Sequence, residues 1–508
     1  MAERTPSSVP PPATRPKLSW CDLAGARVGV WGLGREGHAN LRKLRALAAT
    51  PVLVDDHPEP GSWTVSPPIG GLAVPNDVGP VLATGAGGLA ALEQCDVVVK
   101  TPGISRYRPE VAHLTGLGIP VVGGLGLWLA GMDLRRVLVV TGTKGKSTTS
   151  SLTGHLLTGL GYRCLVGGNI GVVPYDPDQP GDFDYWVIEV SSYQATDLPC
   201  SPPVVAVTSL NPDHLDWHGG VEQYYRDKLS ACSQPGSELT VANGDSDLLR
   251  QHAGLLGPRV EWVSEHDDPG ADWMAPLGLP GRHNRRNALI ARRCLAALGV
   301  PRARDDEALR QAAVGYQPLP SRLTTIGAVG GVAFVDDSLS TNVLPTLAAL
   351  DAFPGRRIAL IVGGHDRGID YAPLAAGVLA RQAPTCVLTL PDSGPRIRAA
   401  IEAAQATAVG QATATARAEA ATRATATAQG APQAQAGATA QAEAATAITV
   451  TDCTDLEAAV AAGFGWARPD GIVLLSPAAP SFGRFRDYRD RSEAFARAMH
   501  AISRPPAK

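Results

Sequence analysis

The chain has 508 residues, of which 44% are hydrophobic and 18% are charged, and its formal net charge is −3. This length exceeds what one hydrophobic core accommodates, so we expect a soluble protein of several domains. The small net charge and the lack of a dominant Lys/Arg run exclude a protein that binds nucleic acid through a basic surface.

The eight cysteines are widely spaced and form no CxxC pair, so the sequence indicates neither a zinc ribbon nor a disulfide framework. No apolar stretch approaches the roughly 18–20 residues of a membrane-spanning helix. The Pro-rich segment 1–19 lacks the apolar region of a signal peptide, and we interpret it as a disordered tail. We therefore expect a cytoplasmic protein that does not bind membranes.

Short apolar segments alternate with Ala- and Leu-rich helical segments along the chain. Segments that are apolar at nearly every position predict strands buried on both faces of a parallel sheet, and the alternation predicts an α/β fold. The clearest such segments are residues 27–32, 51–56, 95–103, 136–142, 185–192, 204–211, 332–338, 357–364, 385–390 and 471–477.

We divide the chain into three α/β domains, at 20–132, 133–321 and 322–508. We expect a Rossmann-like N-terminal domain, a central P-loop ATPase-type domain with a parallel or mixed sheet, and a Rossmann-like C-terminal domain. Residues 403–447 consist almost entirely of Ala, Thr, Gln, Gly and Glu and have no apolar stripe to bury. We interpret them as a flexible surface insertion in the third domain.

The first predicted strand runs into VWGLGREG, which places glycines at Gly32, Gly34 and Gly37, and Asp55 ends the next strand. This spacing is typical of a dinucleotide-binding turn with an acidic residue about 20 positions later. A tight strand-to-helix turn over another phosphate ligand uses the same pattern. An NAD-dependent oxidoreductase and a protein with a different nucleotide ligand therefore both remain open at this point.

The segment TGTKGKSTT (141–149) lies between a predicted strand and a predicted helix. Such a loop presents backbone N–H groups and a helix N-terminus to phosphate oxygens. Lys146 would neutralise the β- and γ-phosphates, and a hydroxyl of Ser147 or Thr148 would reach Mg²⁺. The spacing GxxGKS is two residues shorter than in the usual Walker A loop. The segment predicts an ATP site.

The next two predicted strands end in candidate metal ligands. Glu189 ends one strand, and Asp213, His214 and Asp216 follow the other. Isolated carboxylates at strand ends commonly serve as caps or ion-pair partners. Here a phosphate loop lies in the same sheet, and Mg²⁺ prefers oxygen ligands shared between protein and nucleotide. We therefore predict that Glu189 and His214 bind the metal.

Nine motifs occur in one order between residues 141 and 485, within a resemblance to a known family that covers about residues 20 to 500. They are TGTKGKSTT, GGNIG (167–171), EVSSYQ (189–194), DHLD (213–216), YYRDKLS (224–230), GRHNRRNAL (281–289), LPSR (319–322), DDSLSTN (336–342) and LLSPAAPSFGRF (474–485). In this order and spacing the chain resembles the Mur ligases of peptidoglycan synthesis, and most of all the branch that adds glutamate to UDP-N-acetylmuramoyl-L-alanine. The resemblance implies that ATP phosphorylates the substrate carboxylate and that the amine of glutamate attacks the acyl phosphate.

The resemblance also implies roles for individual residues. It assigns ATP binding to Gly142, Thr143, Lys144, Gly145, Lys146, Ser147, Thr148, Asn284, Asn287, Arg322 and Asp337. It assigns catalysis to Lys146, Glu189, His214 and Lys228. It assigns the binding of Mg²⁺, with two ions expected, to Ser147, Glu189, His214 and a carbamylated Lys228. It assigns the UDP substrate to Gly34, Arg35, Glu36, Asp55, Thr101, Pro102, Gly103, Asn169, Ser191 and Gln194.

The chain departs from the family pattern near the expected site of the incoming amino acid. Leu339 stands where the D-glutamate-adding enzymes carry lysine, Arg367 replaces another lysine, and Tyr488 replaces a phenylalanine; Lys144 replaces an asparagine in the phosphate loop. We expect the amino acid at Thr341, Asn342, Arg367, Ser481 and Tyr488. The WGLGREG segment favours the branch that adds L-glutamate, whose product a separate epimerase inverts; D-glutamate is the alternative.

Two further hypotheses compete with this one. A folylpolyglutamate synthase shares the short phosphate loop and the carbamylated lysine, but it lacks the UDP-type first domain. A non-catalytic nucleotide-binding protein would show damage among the four predicted catalytic residues, all of which are intact. The expected partners are small molecules, namely the nucleotide sugar, glutamate and ATP, bound by a monomer that does not bind nucleic acid.

Overall fold

The computed structural model describes residues 15–58, 80–270, 272–425 and 448–503. Most of the predicted tail 1–19, and residues 426–447 of the predicted insertion, lie outside this part of the chain. Within it, no helix is both long and apolar enough to cross a membrane.

The first sheet belongs to the N-terminal part of the chain. Its strands are β1 (Val28–Trp31), β2 (Val52–Asp55), β3 (Val81–Ala83), β4 (Val97–Lys100) and β5 (Val121–Gly123). They lie in the order β3–β2–β1–β4–β5 and pair in parallel. The first strand is buried at all of its positions, as expected for a strand covered on both faces.

The second sheet also consists of parallel pairs, in the order β11–β10–β9–β6–β8–β7. Its strands are β6 (Val137–Thr141), β7 (Cys164–Gly168), β8 (Tyr185–Glu189), β9 (Val204–Val207), β10 (Leu239–Asn243) and β11 (Val260–Val263). Because β6 is central, its carboxyl end lies between those of β8 and β9. This is the place at which open α/β sheets bind ligands.

The third sheet is mixed, with the order β12–β13–β17–β14–β15–β16. Its strands are β12 (Thr324–Val329), β13 (Val332–Asp336), β14 (Ile358–Val362), β15 (Thr385–Thr389), β16 (Ile448–Asp452) and β17 (Ile472–Leu475). The pair β12–β13 is antiparallel and the other pairs are parallel. Gly330 and Gly331, with φ of 53° and 88°, form the two-residue turn of this hairpin, as left-handed turn positions require.

Helices connect the strands and cover the sheets. They are α1 (Arg35–Ala46), α2 (Leu89–Leu92), α3 (Pro109–Gly116), α4 (Gly124–Ala130), α5 (Lys146–Gly159), α6 (Ser192–Ala195), α7 (Leu215–His218), α8 (Val221–Leu229), α9 (Asp247–Gln251), α10 (Arg282–Ala297), α11 (Asp306–Ala313), α12 (Val343–Asp351), α13 (Ala372–Leu379), α14 (Gly394–Thr425), α15 (Leu456–Ala467) and α16 (Tyr488–Ser503).

The chain forms two compact units, one of residues 1–278 and 284–316 and the other of residues 279–283 and 317–508. The first unit contains the first and second sheets, which share a hydrophobic core, and the second unit contains the third sheet. The predicted α/β fold with parallel sheets is confirmed, and the three sheets fall within the predicted ranges 20–132, 133–321 and 322–508.

Helix α14 extends into the Ala-rich segment 403–447, of which residues 403–425 are helical; the flexible surface insertion stays a prediction. Ile397 and Ile401 at the start of this helix are buried, and Gln405 Nε2 donates to the carbonyl of Ile448 at 3.2 Å. The helix propensity of alanine thus outweighs the interrupting threonines and glycine once the first turns are anchored in the core.

Candidate active site

The loop between β6 and α5 has the backbone that a phosphate-binding loop needs. Gly142 and Gly145 have φ of 132° and 88°, which other residues rarely adopt. A Cβ at Gly142 would collide with Thr208, and a Cβ at Gly145 would lie 3.0 Å from Oδ1 of Asn287. The loop therefore lies tightly against its neighbours, and both glycines are required by its shape.

The first turn of α5 follows this loop directly. Lys146 is its first residue, and its Nζ donates to the carbonyl of Thr143 at 3.1 Å, so the side chain folds back over the loop. Ser147 is buried in the same turn. A helix N-terminus with its unpaired N–H groups, a lysine and a hydroxyl is an anion site. The predicted phosphate-binding residues are thus brought together.

Lys228 on α8 lies against the same loop. Its side chain is 3% exposed, and its Nζ donates to the carbonyl of Gly142 at 3.0 Å. Burial holds the pKa of Lys228 well below its usual value, and the nearby charges of Lys146 and Lys144 lower it further against the opposing effect of Asp213 and Glu189. The amine therefore loses its proton far more readily than a surface lysine does.

Glu189, at the carboxyl end of β8, is 1% exposed. Its Oε1 accepts a hydrogen bond from Nδ2 of Asn169 at 2.6 Å. Its Oε2 is buried and has no hydrogen-bond partner within the described residues. Buried carboxylate oxygens rarely stay unpaired, so this atom is suited to a ligand or a metal ion.

His214 precedes α7 in the left-handed conformation, with φ of 51°. Its half-exposed ring packs on Tyr193, with the ring centroids 5.1 Å apart. Partial burial lowers the pKa of His214, although Asp213 opposes this effect, and the neutral imidazole is the form that binds metals.

The Nζ of Lys144 lies 3.6 Å from Asp213 Oδ2, which provides a partner for the unusual lysine of the loop.

The described residues contain no cluster of three or more His, Cys, Asp or Glu side chains arranged to hold a metal ion. Without carbamylation of Lys228, the group formed by Glu189, His214 and Lys228 offers a metal ion one anion, the carboxylate, and one imidazole. Its fit to Mg²⁺ thus depends on two features, the unpaired Oε2 of Glu189 and the readily deprotonated amine of Lys228.

The predicted asparagine pair lies on α10. Asn284 and Asn287 are both buried, and Nδ2 of Asn287 lies 3.4 Å from Oδ1 of Asn284. Because Asn287 also lies beside Gly145, the structure places this pair next to the phosphate loop.

The turn after β1 is held by its neighbours. Asp55 Oδ2 accepts from the N–H of Leu33 at 2.6 Å, so this carboxylate fixes the glycine turn from the next strand. The N–H of Thr101 donates to Trp31 O at 2.9 Å, and Pro102 and Gly103 follow in the loop after β4. The predicted UDP-contacting residues Gly34, Asp55 and Thr101–Gly103 therefore converge at one end of the first sheet.

Glu36 and Arg35, in the first turn of α1, meet residues of the second sheet. Gln194 Nε2 donates to Glu36 Oε1 at 2.6 Å, and Arg35 reaches the carbonyl of Asn169 at 3.4 Å. Burial raises the pKa of Glu36 to about 7 despite the hydrogen bond from Gln194. Ser191 accepts from the N–H of Gln194 at 3.1 Å, so it caps α6. These residues form one wall shared by both sheets of the first unit.

A buried network that the sequence analysis missed links the loop after β4 to α8. Asp227 accepts from Tyr107 OH at 2.7 Å and from His218 Nδ1 at 2.6 Å. The other ring nitrogen of His218 lies 2.9 Å from Ser192 Oγ. The acid immediately precedes Lys228, so the network fixes the helix that carries this lysine. The adjacent Asp and Lys of YYRDKLS were the available signal.

The remaining predicted residues belong to the second unit. Asp337 accepts from Ser476 Oγ at 2.7 Å, from Ser340 Oγ, and from the N–H of Leu323 at 3.1 Å. This last bond fixes the chain next to Arg322. Burial raises the pKa of Asp337 to about 7, although these hydrogen bonds oppose the effect.

Four of the five predicted amino-acid-binding residues lie on loops that follow strands of the third sheet. Thr341 and Asn342 follow β13, and Asn342 Oδ1 caps α12 by accepting from Val343 N at 2.6 Å. The guanidinium of Arg367, after β14, lies 5.7 Å from the ring centroid of the half-exposed Phe482. The other two predicted positions, Ser481 after β17 and Tyr488 at the start of α16, belong to the same C-terminal segment.

Comparison with known proteins decides the family. Residues 140–275 match the Mur ligase middle domain family. The chain is 40% identical over 504 residues to a UDP-N-acetylmuramoyl-L-alanine–L-glutamate ligase of a Micromonospora species, which covers 96% of this chain and 99% of that protein. It is 38% identical over 496 residues to the protein of the same name from Salinispora tropica, with 94% and 98% covered.

The chain belongs to the Mur ligase family. It is an ATP-dependent, amide-forming ligase of peptidoglycan precursor synthesis. The fold of this Mur ligase is similar to that of the UDP-N-acetylmuramate–alanine ligase of Thermotoga maritima, with a TM-score of 0.51 at 15% identity, covering 94% of this chain and all of that one (100%). That likeness concerns the fold alone.

Proposed function

We propose that this Mur ligase joins glutamate to UDP-N-acetylmuramoyl-L-alanine, with L-glutamate as the favoured amino acid. The observation that carries the proposal is the identity of 40% and 38% with relatives of that name, across nearly the whole chain. The unpaired Glu189 oxygen and the buried Lys228 beside an intact phosphate loop support an active enzyme rather than a nucleotide-binding relative without activity.

The loop and Lys146 bind the phosphates of ATP. The γ-phosphoryl group of ATP passes to the alanyl carboxylate of the nucleotide sugar. This transfer forms an acyl phosphate and ADP. The amine of glutamate then attacks the acyl carbon, phosphate leaves, and the amide forms. Lys146 and the N-terminus of α5 stabilise the negative charge on the transferring group through the same contacts that bind it.

Glu189, His214, Ser147 and a carbamylated Lys228 would hold the two expected Mg²⁺ ions. When bound, Mg²⁺ neutralises phosphate oxygens during phosphoryl transfer. A carbamate forms from a neutral amine and CO₂, and the lowered pKa of Lys228 keeps that amine available. The reaction releases one proton and the product carries a negative charge, so an anion takes the place of the neutral amine beside Lys146.

The glycine turn after β1 and Glu36 on α1 would bind the UDP portion. The muramoyl-alanine portion would lie against Asn169, Ser191 and Gln194. Arg367 would bind a carboxylate of glutamate, since its planar guanidinium makes two parallel hydrogen bonds with a carboxylate. The neutral side chain of Leu339 makes no hydrogen bond with a carboxylate. The same reaction with D-glutamate is the alternative, and with L-glutamate an epimerase would act on the product. We infer a monomer with these small molecules as its partners.

The test is phosphate release by the purified chain with UDP-N-acetylmuramoyl-L-alanine, Mg-ATP and either enantiomer of glutamate. We expect release that depends on all three substrates, faster with L-glutamate. Equal or faster release with D-glutamate would contradict the stereochemical part. An absence of release with both enantiomers would contradict the proposed function.

A further inference from the structure

Arg491 on α16 is a buried cation that no role proposed above uses. Its side chain is 0% exposed. The guanidinium NH2 group donates to the carbonyl of Ser338 at 2.8 Å and to that of Ala479 at 3.2 Å, and its NH1 group also donates to Ala479 at 3.2 Å. Its hydrogen bonds thus join two separate loops of the second unit.

These two loops carry predicted amino-acid-binding residues. Ser338 belongs to the loop after β13, which continues to Thr341 and Asn342. Ala479 belongs to the loop after β17, which continues to Ser481. One guanidinium therefore determines the spacing between the two loops, because each of them accepts its hydrogen bonds through a backbone carbonyl.

A third loop, the one after β14 that carries Arg367, is connected to the same place. The N–H of Gly363 donates to Pro477 O at 2.8 Å, and that of His365 donates to Pro480 O at 2.9 Å. A Cβ at Gly364 would lie 3.2 Å from NH1 of Arg491 and would collide with the carbonyl of Pro480. The third loop thus packs directly on the guanidinium and on the loop that it holds.

The charge of Arg491 is weakly compensated. Its Nε has no hydrogen-bond partner within the described residues. Burial lowers the pKa of Arg491 to about 10, so the group stays protonated at neutral pH. The nearby Asp336 attracts it, but that carboxylate accepts from Ser338 N at 3.0 Å and from Ser492 Oγ. A positive charge in a poorly polarisable interior acts over several ångströms and favours anions above it.

We infer that Arg491 is a positioning residue for the incoming amino acid: it holds the three loops at their relative positions and supplies a positive charge beneath them that favours an acidic amino acid. This role rests on the proposed function. Arg491 acts through the loops and does not itself contact the substrate.

The test compares full-length R491M and R491K with the wild-type chain. R491M approximates the length of the side chain without its charge or hydrogen bonds, and R491K keeps the charge alone. R497M is the matched control, because Arg497 is exposed on the same helix and pairs with Glu493 at 3.8 Å. Phosphate release gives kcat and a KM for each of the three substrates.

We expect R491M to raise the KM for glutamate roughly ten- to hundredfold, the scale of loss when binding groups are misplaced by about an ångström. The KM for the nucleotide sugar should change less than about twofold, because its predicted residues lie on other loops. The KM for ATP should rise less than that for glutamate, because Asp337 is the predicted ATP-binding residue next to Ser338. R491K should recover part of the loss, and R497M should match the wild type. A general loss of folding would raise no single KM selectively.

An active wild-type chain with an unchanged glutamate KM in R491K and R491M would overturn the inference alone. Equal rises of all three KM values would also overturn it. If R491M does not fold, R491K decides, and a normal glutamate KM in R491K counts against the inference. A wild-type chain that releases no phosphate with glutamate would contradict the proposed function, and this inference with it.

Discussion

A lysine whose amine is buried against a backbone carbonyl is unusual, because desolvation of an ammonium group is costly unless a carboxylate pairs with it. Lys228 instead donates to the carbonyl of Gly142 and lies near two further lysines, Lys144 and Lys146. A carbamate on this amine would remove the positive charge that burial disfavours and supply the anion that the proposed metal site requires. The same feature thus accounts for the burial and for the proposed chemistry.

We expect Lys228→Ala to reduce phosphate release at least about hundredfold, and we expect millimolar formate or acetate to restore part of it by replacing the carbamate. Removal of CO₂ should slow the wild-type chain, and bicarbonate should reverse that effect. Arg226→Ala is the control, since Arg226 is exposed on the same helix. Full activity of Lys228→Ala would exclude the carbamate.

Asp337 makes the stability of the chain depend on pH. Its pKa in the folded chain is about 7, against an ordinary value of 3.8. Between these pH values the folded chain binds a proton that the unfolded chain has released, so the contribution of Asp337 to stability falls as the pH rises through this window. Above pH 7 Asp337 is a buried carboxylate in the folded chain, and its contribution to stability has been lost completely.

The free energy of unfolding of Asp337→Asn relative to that of the wild type should therefore rise by about 2–4 kcal/mol as the pH is raised from 5 to 8. Urea denaturation at the two pH values measures the change. Asp470→Asn, at an exposed position of the same unit, should show no such trend. A difference between Asp337→Asn and the wild type that stays constant with pH would contradict the raised pKa.

Helix α8 carries Lys228, the lysine proposed for the metal site, and Asp227 is the main anchor of this helix. This carboxylate accepts from Tyr107, His218 and Gln223, so its removal leaves three donors without their acceptor, of which His218 is buried. We expect Asp227→Ala to lower the free energy of unfolding by about 2–4 kcal/mol and to reduce phosphate release. Arg226→Ala should stay within about 0.5 kcal/mol of the wild type. Comparable losses in both variants would remove the anchoring role.

The strands that the sequence predicted are those that are apolar at nearly every position. Strands such as β6 and β14 are apolar at nearly every position because helices cover both of their faces. Strand β12, at the edge of its sheet and only partly buried, lacks that signature and was not singled out. The phosphate loop and Glu189 were predicted from their positions at the ends of strands, and Lys228 was predicted from the resemblance to the family alone. The roles of His218, Asp227 and Arg491 arise from contacts between distant segments, which no local pattern encodes.

At the scale of the whole molecule, the proposed site residues belong to two compact units. The first unit contains the phosphate loop, Glu189, Lys228 and the glycine turn proposed for the UDP portion. The second contains Asp337, Arg367 and the loops on Arg491.

The transfer of ¹⁸O tests the central claim most directly. The wild-type chain would receive Mg-ATP, glutamate and UDP-N-acetylmuramoyl-L-alanine with both oxygens of the alanyl carboxylate labelled. An acyl phosphate leaves one of these oxygens on the released phosphate and the other in the new amide. We predict one ¹⁸O per phosphate by mass spectrometry. Amide formation that releases unlabelled phosphate would contradict the proposed activation of the carboxylate.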